Sequence, residues 1–274
     1  MAWNVLNNIR QSLGAKIRRL HADSLCRWVA DVCSKPYAMS PHPVLVIAPH
    51  QDDETLGCGG LIAMKRDLGV PVSVIFLTDG SNSHSDRPDL GAFTSDQLIN
   101  TRQHEAVRAL EILGLPRSDI HFLNAPDGKL DELTGLDKQT LVDRLAAIMS
   151  RHKTLEVYVP HRKDRHKDHE AVWDLVHDAL AQADVEHELY QYLIWMPWRS
   201  PIFWKCAPSD LRGALCLEIN GVLDRKIRAI DAYRSQHSVL PPGFLGRFHE
   251  PYEVFFRPRN GTSNGHGRVD VQRC

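Results

Sequence analysis

The sequence predicts an α/β fold, a Rossmann-like and mostly parallel sheet with helices on both faces. Three observations predict it. Short, predominantly apolar runs rich in β-branched residues recur at residues 44–48, 70–77, 120–123 and 155–160, as expected of strands covered on both sides. Apolar residues at three- and four-residue steps follow in residues 56–64, 98–113 and 141–148, so strand and helix alternate. Ionisable residues gather directly after two of the strands, at the edge where open α/β sheets present their ligand sites.

Of 274 residues, 43% are hydrophobic, enough for a large core, and one domain over 41–257 is expected, with an extension at 1–40 and a flexible tail at 258–274. In the extension, Trp3, Leu6, Ile9, Leu13, Ile17 and Leu20 recur at helical steps. Arg10, Lys16, Arg18 and Arg19 occupy other positions, and no acid precedes Asp23. Two uses fit such a basic amphipathic helix: docking against the domain or a partner, or peripheral contact of residues 2–20 with an anionic membrane surface. Residues 35–43, rich in proline, read as a linker. No stretch approaches the roughly 18 apolar residues of a membrane span, and no signal-peptide apolar region is present. Cys26, Cys33, Cys58, Cys206, Cys216 and Cys274 lack paired metal-ligand spacing, so reduced thiols and a cytoplasmic protein are expected, peripheral to the inner membrane surface if the helix takes its second use. A net charge of −1 gives no global attraction to nucleic acid.

The first strand ends at Pro49 and runs into His50-Gln51-Asp52-Asp53-Glu54. If a helix begins near Asp52, His50 and Asp53 turn toward one point, and an imidazole with a carboxylate suits Zn²⁺. Asp52 is then left free to take a proton from a bound water. The alternative is that Asp52 or Asp53 only caps the helix. Gly57, Gly59 and Gly60 suit close approach of helix and sheet; without a P-loop lysine or Rossmann glycine spacing, nucleotide binding is rejected. After the second strand, Asp79 either orients a ligand histidine or forms a turn with Gly80. Residues 81–94 are polar and too long for an idle connection, and read as a substrate-shaping loop.

The strand at 155–160 leads into a second cluster, which holds His161, His166 and His169. A phosphate-tracking stripe is disfavoured because Asp164 and Asp168 interrupt its cations. A metal site with two ligands from the first loop and a third from this one is favoured. Further strands are expected at 188–196 and 214–219, and a helix over 222–236. The aromatic segment Trp195, Pro197, Trp198, Pro201, Phe203 and Trp204 either packs as core or stacks on a sugar, and Tyr233 and His237 are weak candidates for substrate contact.

These motifs resemble those of the LmbE-like or PIG-L-like zinc-dependent N-deacetylases. The family pattern Pro/Ala-His-Pro-Asp-Asp-Glu stands here as Pro49-His50-Gln51-Asp52-Asp53-Glu54, and His-Pro-Asp-His as His166-Lys167-Asp168-His169. Gln51 and Lys167 replace the two family prolines. The similarity continues, in the expected order, through Leu77-Thr78-Asp79-Gly80, Thr101-Arg102-Gln103-His104-Glu105-Ala106, Ala125-Pro126-Asp127-Gly128 and Tyr233-Arg234-Ser235-Gln236. The resemblance implies that His50, Asp53 and His169 bind metal at the C-terminal ends of the strands, that Asp52 is the general base and His166 a protonated partner, and that Arg102 contacts substrate. Asp168 would hold His166 charged or orient a ligand. It further implies Zn²⁺, with Fe²⁺ accommodated by the same donors, and hydrolysis of the acetamide of an N-acetylglucosamine-type conjugate. Another amide or ester hydrolysis on the same site, and a non-catalytic metal- or sugar-binding module, are the competing readings. A free carboxylate beside the ligands counts against the passive module. No Gly-x-Ser-x-Gly elbow favours serine chemistry, and no oligomeric state is implied.

Overall fold

The computed structural model describes residues 2–84, 94–199 and 211–258, with side chains from residue 14 onward. Its strands are β1 (Lys35–Pro36), β2 (Val44–Ala48), β3 (Val72–Thr78), β4 (Ile120–Ala125), β5 (Thr154–Pro160), β6 (Glu186–Tyr192), β7 (Ala214–Glu218) and β8 (Tyr252–Phe256). The helices are α1 (Ala2–Trp28), α2 (Asp53–Asp67), α3 (Ser95–Ile112), α4 (Gly135–Met149), α5 (Lys167–Ala183), α6 (Met196–Arg199), α7 (Leu223–Ile230) and α8 (Arg234–His237). All the strands join one sheet in the order β1-β7-β8-β6-β5-β2-β3-β4. Only β8 runs against its neighbours; the other pairs are parallel.

Burial on both faces explains the continuous apolar runs. Along β2, Val44, Val46 and Ala48 join the core with Leu61 and Ile62 of α2 and Ala106 and Leu110 of α3. The alternate residues Leu45 and Ile47 face the opposite core, with Leu141 and Leu145 of α4 and Val172 and Val176 of α5. Gly57 and Gly60 let α2 lie against the sheet: a Cβ at Gly57 would overlap the Tyr192 ring of β6, and one at Gly60 would meet Ile219. Cys58, between them, is buried.

Two strands depart from the expected elements. Within the expected linker, Lys35 and Pro36 pair with β7, and Tyr37 N donates to Cys216 O (2.8 Å). Strand β8 enters between β6 and β7 at a distance in sequence that no local pattern reveals. Strand β6 ends at Tyr192, and Met196 starts the short helix α6. Residues 85–93 of the expected substrate-shaping loop, Pro201, Phe203, Trp204, Cys206 and the tail beyond residue 258 lie outside the described residues. Among the described residues, no helix is long and apolar enough to cross a membrane.

Central strand β2 has β3 on one side and β5 on the other. The chain passes from β2 to β3 and returns to β5 later, so the strand order reverses between β2 and β5. A crevice at such a reversal is where open α/β sheets take their ligands.

Candidate active site

The loop after β2 and the loop after β5 meet in that crevice. Asp53 opens α2, and its Oδ2 accepts from the backbone N of His50 (3.1 Å). His169 lies in the first turn of α5, fully buried. Three donor atoms converge: His50 Nδ1 to Asp53 Oδ2 is 3.2 Å, His169 Nε2 to Asp53 Oδ2 is 3.2 Å, and His169 Nε2 to His50 Nδ1 is 3.3 Å. Ligand bonds of about 2.0–2.1 Å in tetrahedral geometry separate donor atoms by about 3.3 Å, so this triangle fits one face of a zinc-type coordination sphere.

The outer nitrogens of both imidazoles are committed elsewhere. His169 Nδ1 donates to Asp164 Oδ2 (2.8 Å), while Asp164 Oδ1 accepts from the backbone N of Ile194, Trp195 and Met196 (3.0 Å each). His50 Nε2 donates to Asp168 Oδ2 and Asp127 Oδ1, each at 3.1 Å. These bonds select the tautomers whose remaining lone pairs point into the triangle. Asp168 in turn accepts from the backbone N of Gly128 (2.8 Å) and Leu130 (3.0 Å), so it is bonded to His50 and not to His166.

Asp52 stands beside the triangle and outside it. Its φ of 127° is a conformation that residues with a Cβ rarely adopt, and it makes no capping hydrogen bond to α2. The helix-cap alternative therefore does not account for it. Burial first, and Asp53 next, push its carboxyl up to about 8, against the opposing pull of Arg102 and His50. Burial also works against ionisation of Asp53, but His169 and His50 outweigh it and hold that carboxyl well below the usual range. For His169, burial is outweighed by Asp53 and Asp164, which raise it to about 9; His50 is likewise raised by Asp127, Asp168 and Asp53.

His166 stands nearby, its ring centroid 4.9 Å from that of His50 and 4.7 Å from that of His169. Burial, then His169 and His50, push it down to about 3, so its surroundings favour a neutral imidazole over the protonated partner expected. Its Nδ1 is buried without a hydrogen-bond partner. Trp195 lies across its other side, at 6.3 Å.

Arg102, which the resemblance implies to contact substrate, is buried and bonded to two loops of the site. It is 2% exposed, and its guanidinium donates to Gln51 O (2.7 Å) and Gly80 O (3.1 Å), with Asp52 Oδ1 at 4.0 Å. Arg102 therefore holds the β2 and β3 loops together. Asp79 forms the turn, accepting from Ser81 N (2.9 Å), and no hydrogen bond joins it to a histidine among the described residues. Tyr233 is buried and donates to Glu54 Oε1 (2.5 Å), which corrects its reading as a substrate contact. Two participants were not singled out from sequence. Asp127 carried a signal, an Asp-Gly after a strand of the same sheet edge; Asp164 carried none beyond its place in the second cluster.

Residues 45–180 match the family described as PIG-L: GlcNAc-PI de-N-acetylase. The chain belongs to the PIG-L (LmbE-like) family. This PIG-L family chain is 26% identical to the diacetylchitobiose deacetylase of Thermococcus kodakarensis, over 81% of its own length and 79% of that protein's. It is 27% identical to a probable N-acetyl-alpha-D-glucosaminyl L-malate deacetylase 2 of Bacillus cereus, over 72% and 84%. Among solved structures, the conserved protein TT1542 of Thermus thermophilus superposes with a TM-score of 0.57 at 27% identity, over 82% of this chain and 99% of that one. Within the PIG-L chain, the other motifs interlock with one another and with the first loop: Glu105 accepts from the backbone N and the hydroxyl of Ser235 (2.8 and 2.6 Å), and Glu54 accepts from the hydroxyl of Tyr233.

Proposed function

We propose that this chain is a metal-dependent hydrolase that removes the acetyl group from an N-acetylated amino sugar of the N-acetylglucosamine type, carried in a larger conjugate. The observation that carries the reading is the triangle of His50, Asp53 and His169 with the unligated carboxyl of Asp52 beside it. A bound divalent cation supplies Lewis acidity there, lowering the pKa of water and polarising an amide carbonyl. Two imidazoles and one carboxylate favour zinc, and Fe²⁺ is accommodated by the same donors.

The chain's own groups do the rest. Asp127, Asp164 and Asp168 orient the two imidazoles. Asp52 takes a proton from the attacking water and returns it to the departing nitrogen as the C–N bond breaks, so that water is consumed and acetate and a free amine leave. His166, neutral and with Nδ1 unpartnered, offers a hydrogen bond to the carbonyl oxygen as charge develops there. The amide class is supported by the relatives named as deacetylases of diacetylchitobiose and of N-acetylglucosaminyl malate. Four unpaired cysteines among the described residues support a reducing, cytoplasmic setting.

The test is acetate release from a panel of N-acetylglucosamine conjugates by protein of measured metal content. Release by loaded protein, lost on chelation and restored by zinc, is the expected result. Loaded protein that cleaves none of the panel overturns the reading.

A further inference from the structure

Helix α1 has two apolar sides, and the domain uses only one of them. Ala22, Leu25 and Val29 are buried; Leu25 and Val29 pack with Met196, Leu211, Ala214 and Phe256. On the opposite side Ile17, Leu20 and Trp28 are 51%, 67% and 43% exposed. Their spacing, with Ser24 between, keeps them on one stripe at 3.6 residues per turn. In sequence register this stripe continues the series Trp3, Leu6, Ile9, Leu13. From residue 14 on, the exposed stripe of Ile17, Leu20 and Trp28 is therefore not the face that docks on the chain's own domain.

Charge tells what covers the outer face. The first 22 residues carry Arg10, Lys16, Arg18 and Arg19 and no acid, in a chain whose net charge is −1. Arg19 is occupied, facing Asp23 at 3.5 Å, but Lys16 and Arg18 are exposed beside Ile17. A second copy docked through the same stripe would set these cations against their own kind. Nucleic acid would neutralise the cations and leave Ile17, Leu20 and Trp28 in water. An anionic lipid surface satisfies both: headgroups take the cations and the acyl boundary takes the apolar stripe.

We infer that α1 holds this protein at the surface of an anionic bilayer, lying in the interface with Ile17, Leu20 and Trp28 inward. The helix also adjoins the crevice. Met196, which packs on it, follows Trp195, and Trp195 lies against His166. Membrane attachment thus sets the site beside the lipid surface, independently of which bond the site cleaves.

Sedimentation of the full chain with vesicles of phosphatidylcholine, alone or mixed with phosphatidylglycerol, tests this. Partition onto the mixed vesicles, weakened by salt and small on phosphatidylcholine alone, is expected. Burial of a leucine is worth about 1.5–3 kcal/mol, so Leu20→Glu should weaken partition roughly tenfold or more. Lys16→Glu with Arg18→Glu should do the same through charge, at about 1 kcal/mol per cation. These side chains are exposed, so circular dichroism and Tm should not change. Failure of the wild-type chain to sediment with either lipid, or partition indifferent to Leu20→Glu, overturns the inference. So does a dimer in lipid-free light scattering that Leu20→Glu dissociates, which would make the stripe an interface between copies.

Discussion

At the scale of the residue, neighbouring carboxylates in one motif take different states because their surroundings differ. Asp53 is held ionised by two imidazoles, whereas Asp52, buried next to it, is pushed up and held in a strained backbone conformation. On the proposed function, Asp52→Asn should therefore retain metal and lose turnover by about 10²–10⁴-fold, read by metal analysis beside acetate release. Glu54 is a third case. It accepts from Tyr233, Thr55 and the backbone N of Asp52, yet burial dominates and raises it to about 7. A carboxyl whose folded pKa is raised from 4.5 contributes stability that is complete below pH 4.5 and is lost as pH rises through 7. Glu54→Gln should then raise Tm above pH 7, by at most about 3 kcal/mol of stability, and bring no gain below pH 4.5. Thermal melts of both proteins across pH decide it. The two replaced prolines have local substitutes. Gln51 Nε2 donates to Thr78 O (2.9 Å), and Lys167 pairs with Asp131 and Glu132 (3.5 and 3.4 Å), so bonds to neighbouring loops stand where ring constraint does in the family pattern.

At the scale of the element, the β5–α5 loop is fastened by Asp164: Oδ1 accepts from the backbone N of residues 194–196, while Oδ2 accepts from His169 Nδ1 and shares the Trp195 N–H (2.9 Å). In Asp164→Asn, the three backbone N–H groups of residues 194–196 claim the amide oxygen, and the amide nitrogen then meets His169 Nδ1–H. Two donors face each other, and His169 turns or changes tautomer. Zinc affinity should fall about 10–100-fold, measured by competition with a chelator, with little change in fold. Helix α2 depends on a different constraint, its closeness to the sheet. Gly57→Ala places a methyl group in the Tyr192 ring, and the overpacking should cost about 1–3 kcal/mol in urea titration. The glycines after the first motif thus have the packing use that their sequence suggested, and no phosphate is needed to explain them.

Across the whole molecule, the site lies at one end of the sheet and a closed polar network braces the other. Lys65 of α2 pairs with Glu156 of β5 (2.7 Å) and donates to Ser40 O (2.8 Å), at the end of the sheet where the chain enters β2 and Glu156 pairs with Val44. Both charges are almost fully buried. Breaking such a pair leaves an uncompensated charge inside, so Lys65→Met should cost about 3–5 kcal/mol by chemical denaturation, without altering metal content. The sheet order matters to function for the same reason of placement. Only because β2 lies between β3 and β5 do the loops bearing residues 50–53, 79–80 and 161–169 open on one crevice.

By itself the sequence determined the alternation of strands and helices, the family, and the residue types gathered behind β2 and β5. Periodicity and short motifs are local properties, and local properties survive in one dimension. Only the tertiary structure decided that Asp168 and Asp127 serve His50, that Asp164 serves His169, that Arg102 is a buried clamp, and which side of α1 faces away. Those relations join groups as far apart as His50 and His169, 119 positions along the chain, and they depend on distance and desolvation, which exist only once the sheet has brought the loops together.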